Sequence, residues 1–199
     1  MLCILTGKVQ TGKSRWLREL VDDLTVAGVP CYGVLAPGLW VESDGPAADA
    51  HGYEKLGIGN VLLPGGAEVA FALRADLADE AEPCTQSDRA QLGWRISDAA
   101  LAQVNAHFAA LPALAARDGR PGLLVADELG RLELLRGEGL GQAMALLEAG
   151  PTRAFPHALV VVRDYLADTA EERFGPLWGG AVRIAPDEAG RRQVLELLS

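Results

Sequence analysis

Histidine, cysteine and positive charge are all in short supply in this chain, and each shortage excludes something. Only three histidines occur, His51, His107 and His157, and they are too scattered to form a metal triad. Each is expected at a surface or in a turn. Cys3, Cys31 and Cys84 make no CxxC pair, so neither a disulfide framework nor a zinc site is read from them. Cys3 and Cys31 lie in apolar, strand-like runs where a buried free thiol is expected. Cys84 follows a proline in a polar stretch and is expected to be exposed. Lys and Arg number 18 against 27 Asp and Glu, a formal net charge of −9. That balance argues against a large DNA or RNA surface, because neutralising phosphates takes clustered cations. It leaves a small anionic ligand open, since a local cradle of amides and one lysine can overcome a modest global field.

Long apolar runs are missing too. No stretch approaches the ~20 consecutive apolar residues of a bilayer span. The opening MLCILTGK lacks a basic leader and a long apolar region, so it does not read as a signal peptide. A cytoplasmic protein without a membrane partner is the default. Neither an internal repeat nor a low-complexity tail occurs.

What the chain does have is 199 residues, 49% of them apolar, in short runs broken by Gly and Pro. One domain over 1–199, carrying an insertion, fits that length. Residues 2–6 read as a buried strand. Trp16, Leu17, Leu20, Val21 and Leu24 then recur at helical steps between Lys13 and Val26, with Gly28 and Pro30 closing the helix. Residues 31–36 read as a second strand. Strand, loop, helix and strand in that order begin a parallel α/β sheet. From 37 to 95 the composition shifts to Gly, Ala, Asp and Pro. Short alternating pieces at 39–42, 51–56, 60–63 and 69–73 predict a small antiparallel insertion, and the acidic stretch 75–89 an exposed loop. A helix is predicted over 97–116, N-capped by Ser97. Strands follow at 122–127, 158–163 and 181–184, and helices at 138–149 and 187–198. The fold class read from this is a three-layer α/β P-loop domain, a mainly parallel sheet with an antiparallel β insertion.

Two motifs carry chemistry. Gly7, Lys8, Val9, Gln10, Thr11, Gly12, Lys13 and Ser14 satisfy G-x-x-x-x-G-K-[ST], with Arg15 next. Gly7 and Gly12 allow a tight loop whose amides converge on phosphate oxygens, and the helix directs its N-terminus at the same anion. Lys13 is expected to reach the β- and γ-phosphates, and Ser14 to ligate Mg²⁺. An apolar strand before the motif and a helix after it supply the context that separates it from a chance match. The second motif is LLVADELGRLEL over 123–134. Its strand ends in Asp127, suited to the magnesium shell beside Ser14. Glu128 has two readings, general base for an attacking water or plain surface acid, and the phosphate loop favours the first.

Together these segments resemble the small cancer-related nucleoside-triphosphatase family. There a phosphate loop stands at the N-terminus, and a strand ends in D-E-[IL]-G followed by a basic residue or Pro and then M-E or L-E. Asp127, Glu128, Leu129, Gly130, Arg131, Leu132 and Glu133 take those positions here. Gly33, the HGYEKLG stretch and LGWRISDAAL also look similar. The resemblance implies Mg²⁺-dependent hydrolysis of ATP and GTP, slow and with little base preference. The loop departs from the family pattern in its middle, where Lys8, Val9 and Gln10 replace a Pro-Gly or Gly, and at its end, where Ser14 and Arg15 replace two threonines.

Weaker candidates surround these. Arg163 ends the fourth parallel strand and is a candidate γ-phosphate contact, against a plain ion pair with Asp164. Arg131 is a lesser candidate for the same role. Glu133 reads as structural, tying down the turn after the strand. Trp40, Trp94 and Trp178 read as packing in preference to base stacking. The Asp127–Glu128 pair favours a sheet in which one strand separates the phosphate-loop strand from the Asp127 strand. Two other functions stay in view: a small-molecule kinase, and a nucleotide-gated adaptor awaiting a protein partner that the sequence does not identify.

Overall fold

A computed structural model describes residues 1–8, 11–77, 86 and 93–198. Val9, Gln10, Cys84 and most of the acidic 75–89 stretch lie outside the described residues. The phosphate-loop strand β1 (Leu2–Leu5) leads to helix α1 (Lys13–Val26) and strand β2 (Cys31–Leu35). The insertion supplies β3 (Gly38–Glu42), β4 (Tyr53–Leu63), β5 (Ala67–Arg74) and β6 (Trp94–Ile96). Helix α2 (Asp98–Asp118) returns the chain to the core, followed by β7 (Leu123–Leu129), α3 (Gly141–Glu148) and β8 (His157–Val162). Helix α4 (Ala167–Phe174), strand β9 (Ala181–Ile184) and helix α5 (Glu188–Leu198) complete it.

Nine described strands form one sheet in the order β6-β5-β4-β2-β7-β8-β1-β9, with β3 also paired to β4. The five strands from β2 to β9 run parallel, and the insertion strands join antiparallel. Strand β8 stands between β1 and β7, which is the order expected from the Asp127–Glu128 pair. Helices cover both faces, giving three layers. Leu17, Leu20 and Leu24 of α1 and Val194 of α5 pack with Leu5, Val125 and Val161 on one face. Val104, Phe108 and Leu111 of α2 and Phe174 of α4 pack with Ile4, Val34, Ala126 and Val160 on the other. The alternation of buried positions along β1, β7 and β8 between these two clusters is the period of two that a strand imposes.

Several expectations need correction. The pieces at 51–56 and 60–63 are one eleven-residue strand, β4, because its two halves pair with different strands on one edge, β3 and then β2. A helix at 167–174 and a short strand at 94–96 were not expected. The 138–149 helix begins only at Gly141, since 132–136 forms a wider turn ahead of it. Helix α2 is long and apolar enough, by length and composition alone, to cross a membrane, although Gln103, Asn105 and His107 interrupt it and no run of ~20 consecutive apolar residues occurs. Its alanines raise the apolarity, while Leu101, Val104, Phe108 and Leu111 are spent on the sheet. Ser97 caps it as expected, accepting from the Ala100 amide at 3.3 Å. His107 is not a surface residue. It is part-buried, and its Nε2 lies 3.1 Å from the carbonyls of both Gly33 and Leu63, so that nitrogen carries the proton. Cys3 and Cys31 are buried free thiols, pushed by burial up to about 11 and about 12. Trp178 is core, its Nε1 donating to the Leu147 carbonyl at 2.8 Å.

Candidate functional site

Because the central strands are parallel, Leu5, Leu35, Val162 and Ile184 end at one edge of the sheet, where Asp127 stands near the end of β7. In open α/β sheets, ligands bind at that carboxyl edge. The phosphate loop leaves β1 there. Gly12 adopts φ +79° with nothing within 4 Å of where a Cβ would sit, so a glycine is needed there for backbone conformation and not for space. It is the N-cap of α1. No side chain caps that end and no acid occupies its first turn, which leaves the helix N-terminus open to an anion. The Lys13 ammonium donates to the Gly7 carbonyl at 2.9 Å and to the Lys8 carbonyl at 2.7 Å. Thr11 Oγ1 donates to that same Lys8 carbonyl at 2.9 Å, bracing the loop. The side chains of Lys8 and Arg15 are exposed, whereas Lys13 and Ser14 are half-buried.

Asp127 is 2% exposed. Its Oδ2 accepts from the Ala36 amide at 2.8 Å, while Oδ1 is buried without a well-formed hydrogen bond. Burial first, and the neighbouring Glu128 charge second, push its carboxyl up to about 7; the Ala36 amide, the Ser14 hydroxyl and the Lys55 ammonium pull the other way. Ser14 is therefore near enough to the Asp127 carboxylate to lower its pKa, although β8 stands between β1 and β7.

Glu128 is the one non-glycine residue with positive φ among those described, at +61°. The β7–β8 register breaks between Ala126 and Leu129, so Asp127 and Glu128 occupy a bulge. A bulge re-aims side chains. Here Asp127 points inward and buried, and the next side chain, Glu128, is exposed. Leu129 then returns to the core. Holding a non-glycine residue left-handed costs about 1–2 kcal/mol. Glu128→Gly is therefore expected to raise the melting temperature by ~2–4 °C, the shift that about 1 kcal/mol produces in a domain of this size. A thermal melt showing Glu128→Gly less stable than the parent would remove the strain.

Burial lowers the Lys13 pKa; Glu128 heads the charges that raise it, followed by Asp164, while Arg163 lowers it and Asp127 raises it. Asp127, Glu128, Arg163 and Asp164 are thus near enough to Lys13 for their charges to act on it. Among the described residues no ion pair joins Arg163 to Asp164, whose Oδ1 accepts from the Tyr165 amide instead. Arg131 is exposed at the start of the turn after β7. Glu133 is the tie expected of it: Oε2 accepts from the Gly130 amide at 2.9 Å and Oε1 from the Leu140 amide at 3.0 Å. Sequence reasoning missed Asp164 as part of this site, although its place after a strand end was a usable signal. It also missed Lys55 and the Ala36 amide, for which no local signal exists.

The residues suit magnesium. A hard cation takes oxygen ligands, commonly one or two carboxylates with waters and phosphate oxygens. A hydroxyl beside a buried carboxylate with one unsatisfied oxygen is such a donor set.

No family model matches the chain, and no curated protein does. Among solved structures it is similar to the crystal structure of THEP1 from the hyperthermophile Aquifex aeolicus. The identity is 17%, the alignment covers 100% of this chain and 97% of that one, and the TM-score is 0.59. The likeness is one of fold, and the fold is the α/β P-loop type with a mixed sheet.

Proposed function

We propose that the chain hydrolyses nucleoside triphosphates to diphosphate and phosphate with magnesium, accepting several bases. The observation that carries this reading is the unsatisfied Oδ1 of a fully buried Asp127 at the Ser14 hydroxyl. Burying a carboxylate with an unmet oxygen is costly unless a positive partner compensates it. On this reading Lys13 exchanges the carbonyls of Gly7 and Lys8 for β- and γ-phosphate oxygens, and the loop amides with the α1 N-terminus hold the remaining negative charge. Ser14 and Asp127 would hold magnesium, which supplies charge neutralisation at the phosphates when bound. Glu128, exposed beside them, takes a proton from the attacking water at its carboxylate. Arg163, exposed at the end of β8 and near enough to Lys13 to act on it, offsets charge developing at the γ-phosphate. The resemblance of the DELG segment to the cancer-related nucleoside-triphosphatase family supports the same chemistry.

Phosphate release from ATP, GTP, CTP and UTP, with and without Mg²⁺, tests this. Release is expected to need the metal and no acceptor. No Asn-Lys-x-Asp segment follows any strand, and RDYLAD at 163–168 lacks the Asn and Lys that read guanine. ATP and GTP rates are therefore expected within ~100-fold, about 2.7 kcal/mol. A larger gap would reveal a base-reading pocket, and no release from any of the four would sink the hydrolase reading.

A further inference from the structure

One face of the insertion carries a lysine set against two indoles. Trp40 on β3 opposes Lys55 on β4, because a bulge between Leu39 and Trp40 skips Leu56. Without that bulge Trp40 would face Leu56. The Lys55 ammonium lies 4.9 Å from the centre of the Trp94 ring on β6. Trp40 lies over Gly38: a Cβ there would stand 2.4 Å from the Trp40 Nε1 and 2.9 Å from the Lys55 Cε. The glycine thus leaves the room that the indole and the lysine stem occupy, and Trp40 is 42% exposed. Half-burial of Lys55 comes without a carboxylate in ion-pair range among the described residues. Its neighbour Glu54 is taken up by Arg74 at 2.5 Å and Ser43 at 2.9 Å. Among the described residues the contact of the Lys55 ammonium is the Trp94 ring, an arrangement that leaves its charge available to a bound anion.

The row also has a defined place. Ala36, whose amide holds Asp127, is four residues before Trp40, and the Lys55 charge reaches the Asp127 carboxylate. Strands β3 and β4 therefore wall the cleft on the side of Asp127 away from the phosphate loop, since β8 and β1 lie in the opposite direction along the sheet.

We propose that Trp40, Lys55 and Trp94 form a second ligand site, for a small planar ring bearing an anionic group, on the metal side of the phosphate loop. From the reading above it takes only that the triphosphate occupies that loop. An indole face with exposed area suits a flat unsaturated ring, and the ammonium suits a phosphate or carboxylate on it. Leu39, Val41 and Tyr53 are exposed on the same ribbon, but only Trp40 has the lysine beside it.

Adenosine monophosphate is the probe, with adenosine as ring without charge and inorganic phosphate as charge without ring. Binding is read by calorimetry and tryptophan fluorescence, and triphosphate affinity is measured on the same samples. The monophosphate is expected to bind the parent and Lys13→Ala alike. Lys55→Met should weaken it about tenfold while sparing adenosine, and Trp40→Ala should weaken both about tenfold, the usual worth of one stacked ring. Gly38→Ala should act like Trp40→Ala by displacing the indole, and melting curves of each variant establish that it folds. Loss of the monophosphate in Lys13→Ala, or indifference to Lys55→Met and Trp40→Ala together, would overturn the site. Triphosphate binding without monophosphate binding removes this proposal alone, whereas a parent that binds no triphosphate removes the hydrolase reading.

Discussion

Glu128→Gln is expected to keep magnesium and triphosphate binding while hydrolysis falls by about 10²–10⁴, the usual worth of a positioned base. That range corresponds to about 2.7–5.5 kcal/mol of transition-state stabilisation. The amide keeps the size and reach of the carboxylate but cannot take a proton from water. Ser14 and Asp127 are untouched, so the metal donors persist. Gln is no easier to hold at φ +61° than Glu, so the melting temperature should stay where it is. The Gly and Gln variants at this one position thus separate backbone strain from chemistry: the first is expected to be stabler and inactive, the second equally stable and inactive. Single-turnover hydrolysis beside equilibrium binding makes the measurement. Hydrolysis by Glu128→Gln at the parent rate would overturn the mechanism, and Glu128 would then be a structural acid in a bulge.

Lys13→Ala should lower triphosphate affinity by about 10²–10³ with little change in stability. Two charge-assisted hydrogen bonds are lost, each worth roughly 1.5–3 kcal/mol, partly offset because both are already made to loop carbonyls in the unliganded protein. Those carbonyls face water once the lysine is gone, so the fold loses no more than about 1 kcal/mol. Calorimetric titration and a thermal melt read the two quantities. Unchanged affinity in a folded variant would take the phosphate loop out of the chemistry altogether.

Local pattern accounted for a good part of this protein. The boundaries of α1 and of β9 and the Ser97 cap were legible residue by residue, because a helix or strand declares itself through periodicity and a capping side chain acts within three residues. The phosphate-loop motif was legible for a related reason: a device proposed to gather its ligand with consecutive amides is contiguous in sequence. Asp127 and Glu128 were readable as a pair at a strand end and favoured one strand between β1 and β7, which β8 supplies, but the rest of the strand order was not legible. Tertiary structure alone decided the rest. That Glu128 sits left-handed depends on a bulge between β7 and β8, a pairing across some thirty residues. That Asp127 is anchored by the Ala36 amide depends on β2 lying beside β7. The meeting of Trp40, Lys55 and Trp94 needs three antiparallel strands and a register shift. A periodicity reports which face of an element is apolar. It holds no record of which other element will cover that face, since partner choice is settled by packing between segments distant in the chain.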